Sequence, residues 1–176
     1  MLFRSDEELA CIIMEPVQAE NGINIPRKNW MQALRKKCSE KGVLLILDEI
    51  QTGFGRTGKL FAFEHFDIFP DILLLGKALG GGMPLGAFVA NRNLMNAFAT
   101  NPVLGHITTF GGHPVCCAAG DAAFAFLIEQ QLMDHVRYKE KIFREALIHP
   151  LIKDFRSCGL LMTIEFDSWE INKKVI

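Results

Sequence analysis

The sequence carries no excess of charge of either sign: 19 lysines and arginines stand against 20 aspartates and glutamates, mixed along 176 residues. That balance gives no electrostatic case for nucleic acid or for an anionic membrane surface. No apolar run approaches membrane-spanning length, and Leu9–Met14 is too short and wrongly flanked for a signal peptide. There is no CxxC. The five cysteines, at 11, 38, 116, 117 and 158, are odd in number, and the adjacent Cys116 and Cys117 would strain to bridge each other. Free thiols in a reducing cytoplasmic compartment follow from that usage. The five histidines show no ligand spacing. His113 lies three residues before Cys116, but a zinc site needs two further ligands that the sequence does not offer, so no metal is expected. Internal repeats and low-complexity segments are missing as well.

What is present is a globular chain, 49% hydrophobic, long enough for one domain or for part of a larger one. Leu9–Glu15 is a β-leaning run stopped by Pro16, and residues 18–26 are loop-like around Asn21-Gly22. Arg27–Lys41 has helical periodicity, with Trp30, Leu34 and Cys38 on one face and Gly42 in the terminating position. Val43–Leu47 and Ile72–Leu75 read as buried strands, and Leu85–Ala90 as a further one. Asn91 is placed to cap a helix reaching Ala99, and Pro114 to begin a long alanine-rich helix ending near Gln131. Leu132–Ile148 is predicted as another helix and Leu160–Asp167 as a strand. The alternation predicts an α/β fold with a mostly parallel sheet. A strand close to each end, without an obvious partner, suggests a piece of a longer protein.

The chain is organised around ILLLGKALGGG, Ile72–Gly82. Lys77 falls where a buried strand gives out, the usual place for a ligand crevice in an open α/β sheet. Partial desolvation there would favour a neutral, nucleophilic amine, and Gly80–Gly82 would let backbone approach a non-protein group. An ordinary solvated lysine at a loop start fits the same pattern. LLILDE, Leu44–Glu49, ends a second strand on Asp48 and faces the same crevice. Such a carboxylate could hold magnesium in a nucleotide hydrolase, keep the ring nitrogen of pyridoxal phosphate protonated, or simply cap a strand. Residues 53–60, GFGRTGKL, fit GxxxxGK, but Leu60 replaces the hydroxyl residue, and the loop follows LLILDE with no helix-favouring run after it. Pyridoxal phosphate needs an amine, a ring-nitrogen carboxylate, a donor for the phenolic oxygen and phosphate donors. Lys77, Asp48, Gln51 and the Thr108-Thr109 pair can supply these, and that set favours the cofactor over a nucleotide.

Four segments together are specific. EPVQAENG (15–22), LLILDEIQTGFGRTGKLFAFEHF (44–66), PDILLLGKALGGGMPLGAFV (70–89) and TTFGGHPVCCAA (108–119) resemble class III aminotransferases of the ornithine, acetylornithine and 4-aminobutyrate type. These belong to the fold-type I pyridoxal phosphate enzymes. The resemblance implies that Lys77 is the catalytic Schiff-base lysine, that Asp48 pairs with the pyridine nitrogen, and that Gln51 lies against the phenolic oxygen. It implies a homodimer in which Thr109 reaches the phosphate of the partner's cofactor, and it sets Glu20 near the substrate channel. The expected reaction moves an amino group from an amino acid or ω-amine to a 2-oxo acid, with 2-oxoglutarate the expected acceptor. A decarboxylase or aminomutase on the same scaffold, or a non-catalytic fragment, are the alternatives. Family members are longer, so residues 1–131 are expected to form part of the cofactor-binding large domain. Residues 132–150 would be a linking helix, and 151–176 the beginning of the small C-terminal domain, whose first strand RSCGLLMTIEF (156–166) resembles. The glycine/serine phosphate loop, the ring-stacking aromatic residue and the substrate-clamping arginine of the family fall outside these 176 residues.

Overall fold

The structure is a computed structural model that describes residues 9–100, 103 and 107–175. A four-stranded sheet, in the order β1-β2-β3-β4, is built from Cys11–Met14 (β1), Leu44–Asp48 (β2), Ile72–Leu75 (β3) and Ala87–Ala90 (β4). The first three strands are parallel, and β4 runs antiparallel to β3. Helix α1, Lys28–Lys41, crosses from β1 to β2 over one face. Its end follows the sequence reading: Gly42 adopts φ +66 and its N–H reaches the Cys38 and Ser39 carbonyls.

Parity within β2 decides which side is core. Leu45 and Leu47 are fully buried, while Leu44, Ile46 and Asp48 are half-buried on the other face. The core lies between the first face, α1 and a 3-10 turn at Ala62–Phe66. It joins Met31, Leu34, Cys38, Leu45, Leu47, Leu73, Ala62, Phe63 and Phe66. The buried face of α1 is therefore Met31, Leu34 and Cys38. Trp30, expected on it, is 40% exposed at its margin, because Met31 takes the inward position at the same helical turn. Asp71 locks the start of β3 to β2. Its Oδ2 accepts from the Leu45 N–H (2.7 Å) and from Arg35 Nη1 (2.6 Å), and its own N–H donates to the Leu45 carbonyl (2.8 Å).

Asn91 caps as read, its Oδ1 accepting from the Leu94 N–H at 3.0 Å, but the helix it begins is short. Helix α2 spans Arg92–Asn96 and passes into a 3-10 turn at Ala97–Ala99. Helix α3 runs Pro114–Glu129, with proline at its first position. The segment expected as one helix from Leu132 divides into a 3-10 turn, Leu132–His135, and α4, Val136–Ala146. The break follows Gln131, which sits at φ +49 and turns the chain.

The strand near the end has a partner that the sequence reading missed. Ile152–Cys158 (β5) pairs antiparallel with Leu161–Phe166 (β6) through a turn at Gly159, φ +61. A short helix α5, Trp169–Val175, follows. No helix among the described residues is long and apolar enough to cross a membrane.

Candidate active site

The register places the two key side chains on neighbouring strand ends. Asp48, the last residue of β2, pairs with Leu74 of β3, and Lys77 follows three residues later. Both leave the carboxyl edge of parallel strands, where an open α/β sheet sets its ligand crevice. Asp48 Oδ1 accepts from the Ile50 N–H at 2.9 Å, which fixes the carboxylate at the rim. Its Oδ2 has no partner among the described residues. The carboxylate borders a cleft of about 870 Å³ at the ends of β1 and β2, together with Glu15, Gln18, Asn24 and Trp30.

Lys77 opens a 3-10 turn, Lys77–Gly80, with a left-handed backbone at φ +47. A non-glycine residue in that region is strained, and such strain gathers where a side chain must be aimed. The side chain is exposed, not desolvated as the sequence suggested. It lies at the start of a turn whose glycines bring no side chains to cover it. The glycines also differ from expectation. A Cβ on Gly81 would lie 2.5 Å from the Ala119 carbonyl oxygen, and one on Gly80 would lie 3.3 Å from Leu85. From the facing helix, a Cβ on Gly120 would lie 2.5 Å from the Leu79 carbonyl oxygen. Gly81 and Gly120 are small because α3 packs directly on the lysine turn, and Gly80 lies against Leu85. Only Gly82 of the run faces open space.

Gln51 and Glu20 meet. Gln51 Nε2 donates to Glu20 Oε1 at 2.9 Å, and both border a second hollow of about 280 Å³ beside Leu161 and Thr163 of β6. Thr109 is apart from this group, exposed in the turn that leads to α3, and no hydrogen bond links it to the other four residues. His113 begins α3, its Nδ1 accepting from the Val115 N–H at 3.3 Å.

The residue missed in the sequence is Glu49. It is fully buried, and its carboxylate accepts from the Thr52 hydroxyl (2.5 Å), the Ala62 N–H (2.9 Å) and the Phe63 N–H (2.8 Å). Burial pushes its carboxyl above the ordinary value, against the pull of these three donors. The signal was available: Leu45, Leu47 and Glu49 share one parity, so Glu49 continues the buried face. By the same parity Asp48 turns the other way, toward the cleft.

Residues 53–60 do not form a phosphate cradle. A Cβ on Gly55 would lie 2.9 Å from Met133, one on Gly53 would lie 2.9 Å from the Glu49 carbonyl oxygen, and one on Gly58 would lie 3.5 Å from Val136. The loop is a saddle for the elements that follow, with Phe54 edge-on to both Phe61 and Phe124. A 3-10 turn, not an α-helix, comes after it.

Comparison with known proteins bears on this arrangement. The family model described as aminotransferase class-III matches residues 1–176. The chain is similar to the ornithine aminotransferase of Toxoplasma gondii, at 38% identity and a TM-score of 0.83, over 92% of this chain and 39% of that one. It is similar to the ornithine aminotransferase of Plasmodium yoelii, at 37% identity and TM-score 0.76, covering 88% of this chain and 42% of the other. It also resembles the taurine:2-oxoglutarate aminotransferase of Bifidobacterium kashiwanohense, solved with pyridoxal phosphate and glutamate. That match has 34% identity and TM-score 0.78, over 89% and 36% of the two chains. The chain thus spans about two fifths of the length of the solved structures it matches.

Proposed function

The chain belongs to the class-III aminotransferases, enzymes of pyridoxal phosphate, and on that premise we propose that it carries the catalytic lysine of a transaminase. The proposed reaction moves an amino group from an amino acid or ω-amine to a 2-oxo acid, with 2-oxoglutarate as acceptor. A carbonyl compound and a new amino acid are the products. The acceptor is supported by the taurine:2-oxoglutarate enzyme among the similar structures. The observation that carries the proposal is the pairing of Asp48 with Leu74. It sets a carboxylate and, one turn on, a strained, exposed lysine at adjacent strand ends.

The donor set fits the cofactor: a primary amine open to reaction, a carboxylate oxygen without a partner among the described residues, and a carboxamide fixed at one end. When bound, pyridoxal phosphate supplies an electron sink for the pair left on the donor carbon. The chain's own groups do the rest. Lys77 Nζ would hold the cofactor, and its amine would take a proton from the donor's amine-bearing carbon and return one later. Asp48 holds a proton on the ring nitrogen by its negative charge. Gln51 donates an N–H to the ring oxygen. Glu20 borders the substrate channel, and Thr109 serves the phosphate bound in a second subunit of a homodimer. Residues 1–131 act as part of the large domain, 132–150 as a link, and 151–176 as the beginning of the small domain. The unbridged state of all five cysteines supports a cytoplasmic setting.

Incubating the full chain with pyridoxal phosphate, then reducing with borohydride, should leave a pyridoxyl group on the peptide containing Lys77. A label confined to other lysines, or none, would overturn the assignment. Amino-group transfer to 2-oxoglutarate from candidate amines, followed by product analysis, tests the reaction.

A further inference from the structure

Gln51 is not held by its own loop. Its amide donates through Nε2 to Glu20 Oε1 at 2.9 Å, across 31 residues of sequence. A carboxylate only accepts, so Glu20 takes the NH2 end of the amide and fixes which end faces which way. Glu20 belongs to a loop that is itself pinned at three points. Glu15 Oε2 accepts from the Ala19 N–H at 2.9 Å. Gln18 and Asn24 exchange backbone hydrogen bonds at 3.1 and 2.9 Å. From the far end of the chain, Arg156 Nε donates to the Gly22 carbonyl at 2.7 Å.

This last contact has features of a built anchor. Gly22 sits at φ +98, a backbone that favours glycine, and a Cβ there would fall 2.8 Å from Arg156 Nη2, so the guanidinium lies directly against this residue. Arg156 Nη1 is held by Asp154 at 2.5 Å and Glu165 at 2.8 Å, and Lys153 pairs with Glu165 at 3.0 Å. A planar fork gripped on one side by two carboxylates presents its remaining N–H in a fixed direction.

Granted Gln51 as the ring-oxygen donor, we infer that Glu20 and Arg156 are positioning residues for it. Arg156 of β5 fixes the 18–24 loop through Gly22, and Glu20 of that loop orients the Gln51 amide so that an N–H, not the carbonyl, serves the cofactor oxygen. The β5–β6 hairpin is therefore part of the site through the 18–24 loop. Donation to a ring oxygen stabilises its ionised form, so losing the orientation shifts the titration of the bound chromophore upward.

Two readouts separate this relay from simple destabilisation. In the full chain without cofactor, labelled with 15N, the side-chain NH2 signals of Gln51 should shift in Glu20→Gln, which removes the accepting carboxylate. Arg156→Lys, which keeps the charge but loses the fork, should shift the same signals. Arg144→Lys, which removes a contact to Ser157 of the same hairpin, should leave them in place. In the chain loaded with pyridoxal phosphate, Glu20→Gln and Arg156→Lys should each raise the pH midpoint of the visible absorption by about one unit, and Glu20→Asp should recover part of it. Gln51 signals indifferent to Glu20, or an unmoved midpoint in both variants, would overturn the relay. Coupled Gln51 signals in a chain that forms no chromophore would instead overturn the cofactor assignment of Gln51.

Discussion

Gly159 of the β5–β6 turn lies against Thr57 so closely that a Cβ would stand 2.7 Å from the Thr57 carbonyl carbon and 2.8 Å from the Arg56 oxygen. The Leu160 N–H completes the seat, donating to the same Arg56 carbonyl at 2.9 Å. Because the obstructing atoms are backbone, they cannot rotate away, and φ +61 adds strain for any L side chain. Gly159→Ala should lower stability by about 2 kcal/mol or more, read as a shift in urea midpoint. Faster proteolysis within 150–166 should accompany it.

Removing the Glu49 carboxylate leaves two backbone N–H groups and the Thr52 hydroxyl without an acceptor inside the core. Glu49→Ala should cost about 3 kcal/mol or more, since each stranded buried donor costs about 1–3 kcal/mol. Denaturant unfolding measures it.

The same residue sets a pH dependence. Burial raises its carboxyl above 4.5 in the folded chain, so the folded state keeps its proton to higher pH than the unfolded state does. The contribution is present below 4.5 and is lost as pH rises through the raised value. Glu49→Gln cannot titrate, so its stability profile just above that pH should be flatter than that of the parent chain. Midpoints recorded across the range, with parallel slopes for both proteins, would sink the prediction.

Asp71 binds both the Leu45 N–H and Arg35, whose side chains are 29% and 17% exposed for the aspartate and arginine. Asp71→Ala strands a strand N–H and a largely buried guanidinium together. The expected loss is about 2–4 kcal/mol, with little effect on the distant carboxyl edge. Pyridoxal phosphate labelling of Lys77 should survive under conditions where the variant is folded.

The cysteines should separate by reactivity. Cys117 is exposed on α3, Cys38 and Cys116 are buried, and Cys158 is pushed up to about 11 by burial and by the Glu140 and Glu49 charges. Near neutral pH an aromatic disulfide reagent should modify Cys117 fastest, and Cys117→Ser should remove that phase.

The strand Ile72–Leu75, the Gly42 stop, the Asn91 cap and the proline start of α3 were legible because each depends on local chemistry. The strand-end positions of Lys77 and Asp48 were legible because a buried apolar run points to its own polar end. Strand β5 was not. IKDFRSC mixes charge into a two-stranded hairpin, where Lys153, Asp154 and Arg156 bond across to Glu165 and to each other, so no apolar alternation is left to read. The roles of Gly80 and Gly81 were misread for a related reason. A glycine that admits a neighbouring helix and one that admits a ligand look alike until the neighbour is known. Glu49 was hidden beside Asp48, though strand parity separates them.

The antiparallel course of β4 has a consequence for the lysine turn. Leu75 pairs with Ala87, so the eleven-residue excursion that carries Lys77 leaves and re-enters the sheet at one rung. Its closure rests on that rung and on the packing of α3, and not on the docking of the terminal hairpin. If β5 and β6 detach while the sheet stays intact, the amine keeps its anchorage and Gln51 loses its orientation. On the proposed reading, attachment of a cofactor and tuning of its ring would thus belong to separable parts of the chain, to be lost one at a time.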